Sequence, residues 1–235
     1  MPSIQSNNEQ QGSFCSAGRL NLQEIRNSLE QTQRLFPEIN RALTTPRDNL
    51  SQEITDHLME AYTFIDHALA NGQDLLAMGN SNQLLELNSL VLVGSNEQAR
   101  RNSRSHFLHN QQHFYGTDGG IGGLMEWQKH HSRDGLWKKA AGLYIQVLSH
   151  PQLFIEGNHR TGMLLMGFLL ARGGHPPFVL TPANAKVFLD HSSKIENFRK
   201  HSLSMLFHFS ALRNQLADIL QKYVEPQHLI ARKTP

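Results

Sequence analysis

The stretch His150-Pro-Gln-Leu-Phe-Ile-Glu-Gly-Asn-His-Arg-Thr-Gly162 constrains this chain more than any other. It lies between an amphipathic segment, Leu136 to Leu148, and an almost wholly apolar one, Met163 to Ala171. Two helices of a bundle need only a polar turn between them. This connection carries a carboxylate (Glu156), a glycine (Gly157), an amide (Asn158) and a guanidinium (Arg160) within five residues, then re-enters a helix. The first turn of a helix has unpaired backbone N–H groups and the positive end of the helix dipole, so Gly157 to Thr161 reads as a cradle for an anion. Gly157 lets the backbone approach that anion closely. Asn158 suits a helix cap, and Arg160 suits a phosphate. Glu156, beside bound phosphate, is a candidate ligand for Mg2+.

In order and type, Phe154-Ile-Glu-Gly-Asn-His-Arg160 resembles the core of the Fic/Doc (Fido) motif, H-x-F-x-[D/E]-G-N-[G/K]-R-x-x-R. The flanks resemble the family too. An amphipathic helix leads in, an apolar helix leads out, and Gly173-Gly174-His175-Pro176-Pro177 follows it. The similarity covers roughly residues 80 to 180. The resemblance implies an all-α, Fic-like helical bundle with a small β-hairpin flap that docks a target segment by strand pairing. It also implies Mg2+, with ATP or another nucleotide or diphosphate donor, and transfer of AMP or another phosphate-containing group to a hydroxyl of a target protein.

Three positions depart from the family pattern. The catalytic His falls on Gln152, the Gly/Lys position on His159, and the last Arg on Met163. The family's His removes the proton of the attacking hydroxyl, and a neutral amide has no usable basicity. His150, two residues earlier in a His-Pro pair, serves as base if the loop begins two residues early. His159, at the helix start, would help hold phosphate. Ser192-Ser-Lys-Ile-Glu-Asn197 matches the family's inhibitory pattern, [S/T]-x-x-x-E-[G/N], in which the Glu pairs with the motif's last Arg. Here Glu196 is that residue, and Met163 removes its usual partner.

Composition narrows the function classes. Charged residues are only 18% and the formal net charge is +2, so there is no strong electrostatic case for nucleic acid. Cys15 is the one cysteine, which excludes internal disulfides and thiolate metal clusters. The first residues are polar, without a basic-plus-apolar signal, and the apolar run Met163 to Ala171 is too short for a membrane span. A cytoplasmic protein is expected, or one exported without a readable signal.

Along the chain, residues 1 to 18 are rich in Ser, Asn, Gln and Gly and read as a loosely attached tail, leaving one domain over 19 to 235. Helical periodicity predicts elements over Leu20 to Phe36, Leu50 to Ala77 with a break at Gly72, Leu136 to Leu148, Asn158 to Arg172 and Ser202 to Tyr223. The last of these packs on the bundle or forms a homodimer surface. Leu90 to Val93, before Gly-Ser, reads as a short strand of the flap or as a buried connector, with a return strand within 101 to 107 or 112 to 115. His106, His109 and His113 share one helix face, but no acidic residue completes a zinc set. Gly116 to Gly123 reads as a mobile wall beside the site. The resemblance thus implies transfer of an AMP-like or other phosphate-containing group to a protein hydroxyl, or a Fic-fold protein that binds anion or partner without transfer.

Overall fold

The computed structural model describes residues 18–116, 120–200 and 203–230, with backbone only for 203–207. Residues 1–17 of the expected tail and 117–119 of the expected mobile wall lie outside them. Among the described residues the fold is all-α with one small antiparallel sheet. In chain order the helices are α1 (Leu22–Ala42), α2 (Gln52–Ala70), α3 (Ser81–Val93), α4 (Glu97–Asn102), α5 (Arg104–Gly116) and α6 (Ile121–His130). Then come α7 (Leu136–Leu148), α8 (Asn158–Arg172), α9 (Ala185–Glu196) and α10 (Leu203–Tyr223).

The central element is α8. Thr161 to Phe168 are all buried, as are Leu170 and Ala171, because this helix is apolar on every side. Fully burying each of Leu164, Leu165 and Phe168 contributes roughly 1.5–3 kcal/mol. Helix α7 packs along α8 at close range: a Cβ added at Gly162 would meet the Tyr144 ring at 3.1 Å and Val147 at 3.3 Å. Helices α2 and α3 cover other faces of α8, and α10 lies against α7. Trp127, on α6, lies over Gly142 of α7, where an added Cβ would be only 2.4 Å from the indole. No described helix is long and apolar enough to cross a membrane.

The strands are not where the flap was expected. Leu90 to Val93 form the end of α3, and 101 to 107 and 112 to 115 are helical. The reason is spacing: Leu84, Leu87, Leu90 and Val91 are buried on one helical face, which a strand would divide between two. The sheet instead joins the two ends of the described chain. Strand β1 (Arg19–Leu20) pairs antiparallel with β2 (Leu229–Ile230), Arg19 opposite Ile230 and Leu20 opposite Leu229. Beside it the buried Asp66 carboxylate accepts from the Arg19 guanidinium and from the Leu20 N–H at 2.8 Å. Burial pushes the Asp66 carboxyl up, but those donors outweigh it and hold it below the usual carboxylate range. The fully buried His228 meets Ser28 of α1 through Nε2 at 2.9 Å.

Helix limits also moved. Pro37 sits inside α1, which runs on to Ala42 rather than stopping near it. Gly72, with φ of 65°, follows the end of α2 as the sequence suggested. The glycine-rich stretch is shorter as a loop than expected, since Gly116 ends α5 and Ile121 begins α6.

Candidate functional site

The loop between α7 and α8 is tied down by amides. Asn158 is buried, and its side chain turns back into the loop instead of capping α8. Its Oδ1 accepts from the Phe154 N–H at 2.9 Å, and its Nδ2 donates to the Phe154 carbonyl at 2.7 Å and to Gln152 Oε1 at 3.0 Å. The residue at the N-cap is Gly157, which has no side chain to cap with. Two further amides hold the outside of the loop. Asn88 of α3 donates to the Glu156 carbonyl and to Thr161 Oγ1, both at 3.0 Å. Asn110 of α5 donates to Asn88 Oδ1 and accepts from the Ile155 N–H, both at 2.9 Å. Phe154, stacked on Phe114 at 5.4 Å, anchors the loop in the core.

This scaffold presents the start of α8. Gly157 has φ of 75°, a left-handed conformation that costs other residues about 1–2 kcal/mol. An added Cβ there would also lie 3.0 Å from the Asn88 amide. The first N–H donating within the helix is that of Thr161, to the Gly157 carbonyl at 2.9 Å. The amides of Asn158, His159 and Arg160 therefore precede any intrahelical acceptor. Arg160 donates to the Val91 carbonyl at 3.0 Å, in the last turn of α3. Burial lowers its pKa, while Glu156 and Asp48 act the other way. The Glu156 side chain is exposed. Among the described residues no three His, Cys, Asp or Glu side chains form a group that could hold a metal ion, the His106, His109 and His113 face included. A site with Glu156 as its one protein carboxylate suits Mg2+ that also takes phosphate oxygens and water.

His159 sits in a polar cluster drawn from four parts of the chain. Its Nδ1 lies 2.7 Å from Ser192 Oγ and 3.3 Å from the Tyr144 hydroxyl, which is itself 2.5 Å from Ser192 Oγ. Its Nε2 lies 3.2 Å from both Glu196 Oε2 and the Arg47 guanidinium. Arg47 also donates to Glu196 at 3.4 Å and to Ser193 Oγ at 2.7 Å. Burial, then Arg47, push the His159 pKa down against the pull of Glu196. Ser192, His159 and Glu196 line up like a nucleophile, a base and an acid. Ser192, however, is fully buried and its oxygen is taken, so the arrangement fixes the imidazole rather than attacking a substrate.

The remaining candidates separate. Gln152 is held at both ends of its amide, Oε1 by Asn158 and Nε2 donating to the Leu148 carbonyl at 3.2 Å. His150 is exposed and is bound through its backbone to the connection between α9 and α10. Met163 is buried in the core, and Glu196, lacking the expected Arg, meets Arg47 and His159. Arg47 and Tyr144 carry no local sequence signal of a role in the site. Asn88 and Asn110 have one signal, a polar residue interrupting an apolar face. Compared with models of protein families, with curated proteins and with solved structures, the chain matches none of them.

Proposed function

We propose that the start of α8 binds a nucleotide or related phosphate-containing donor with Mg2+, and that the protein transfers an AMP-like or other phosphate-containing group to a hydroxyl of a target protein. The observation that carries this reading is the amide-braced loop. It sets a left-handed Gly157 and the first-turn N–H groups of α8 between Glu156 and Arg160. Glu156 would hold the metal, which would supply charge stabilisation to a transferring phosphoryl group, with the helix N-terminus and Arg160 beside it. His150 is the candidate base.

A second reading, binding without transfer, is favoured by one specific feature. Gln152, where the family's base stands, has its amide engaged at both ends. Loss of a general base costs ~10²–10⁴ in rate. The two readings separate when the protein is incubated with Mg2+ and labelled nucleotides. Label on itself or on lysate proteins that His150→Ala abolishes supports transfer with a displaced base. Raised thermal stability with nucleotide, but label only from Gln152→His, supports binding alone. A melting temperature that no nucleotide moves sinks both.

Glu196 acts in this scheme as a restraint, since it engages His159 and Arg47 beside the cradle. Glu196→Gly is expected to tighten nucleotide binding several-fold, read by equilibrium titration. Unchanged or weaker binding removes the restraint from the scheme.

A further inference from the structure

Where the loop leaves α7, the His150 backbone forms a one-residue parallel bridge with Arg199. The His150 N–H donates to the Phe198 carbonyl at 2.9 Å, and the Lys200 N–H donates to the His150 carbonyl at 2.6 Å. Beside the bridge opens a cleft of about 660 Å³ lined by His150, Pro151, Glu196, Asn197, Arg199 and Lys200. That volume lies within the range of roughly 300–1,000 Å³ seen for small-molecule sites. Three basic side chains share the lining with one carboxylate. The carboxylate is itself engaged: Glu196 Oε2 lies 3.2 Å from His159 and 3.4 Å from Arg47. By formal charge the lining sets two cations, Arg199 and Lys200, and an imidazole against that one carboxylate.

We propose that this cleft binds a small molecule through a phosphomonoester group, held by Arg199, Lys200 and His150. A guanidinium, an ammonium and an imidazole are three separate donors and suit a dianion with three terminal oxygens better than a carboxylate with two. Burial pushes the Lys200 ammonium down to about 8, and a bound anion would favour its charged form again. The site needs neither Mg2+ nor the amides of α8, although it shares His150 and Glu196 with the function proposed above.

The test is titration of the whole protein with inorganic phosphate, glycerol 3-phosphate and acetate in the presence of a metal chelator, followed by calorimetry. Glycerol 3-phosphate is expected to saturate, and to bind more tightly than inorganic phosphate or acetate. Arg199→Gln and Lys200→Gln should each weaken it at least tenfold, and Arg160→Gln should leave it unchanged. The exposed Arg199 keeps the test open should Lys200→Gln fail to fold. Absence of saturable glycerol 3-phosphate binding overturns the proposal, as does acetate or inorganic phosphate binding equally well. Binding lost in Arg160→Gln and kept in Arg199→Gln places the anion at α8 and overturns it too.

Discussion

Asn158 satisfies three partners from one buried side chain: the Phe154 N–H, the Phe154 carbonyl and the Gln152 amide. An alanine there leaves a buried N–H without an acceptor and a void beside it, and each buried group left unsatisfied costs about 1–3 kcal/mol. Asn158→Ala is accordingly expected to lower unfolding stability by about 3 kcal/mol, read from denaturant midpoints at unchanged slope. A loss below about 0.5 kcal/mol would mean that the loop has another brace. The residue's place in the chain suggested a helix cap; its role is to shape the loop before the helix. Capping and loop bracing use the same acceptor atom, so residue type alone does not tell them apart.

At the scale of elements, the contact between α6 and α7 rests on a missing side chain. Trp127 covers Gly142 so closely that a methyl group there would lie 2.4 Å from the indole. Gly142→Ala must displace the ring, at a cost of about 1–3 kcal/mol. Tryptophan emission should shift to the red as Trp127, now 8% exposed, meets water. Unchanged emission would show that α6 moves as a body instead. Helix α7 was readable in the sequence because its apolar residues repeat at helical spacing, and α8 because its apolar run is longer than a buried strand. Leu90 to Val93 misled for a local reason: a short apolar run with two valines before Gly-Ser is ambiguous, and only burial of Leu84 and Leu87 on the same face decides it. The loop chemistry around Glu156 to Arg160 was legible because it is contiguous. Arg47 was not, since it reaches His159 across 112 positions and Glu196 across 149.

At the scale of the whole molecule, His228 links the end of the chain to α1. Burial pushes its pKa down from 6.5 to about 4, so the folded state binds its proton more weakly than the unfolded state does. Stability from this residue is fully present above about 6.5, falls as pH drops toward about 4, and levels off below. A shift of that size corresponds to about 3 kcal/mol. The difference in unfolding free energy between the protein and His228→Gln should therefore change by roughly that amount between pH 7 and pH 4. A difference independent of pH would show that His228 is solvated. The chain has fourteen histidines, and taking the difference between the protein and His228→Gln cancels the titrations that the two share.

The pairing of β1 with β2 also bears on how this protein is made. Helices α1 and α2 leave the ribosome long before residues 228 to 230, so β1 waits for its partner strand, and Ser28 for a histidine 200 positions on. A product truncated before residue 228 is expected to leave β1 without its partner strand and easier for proteases to reach.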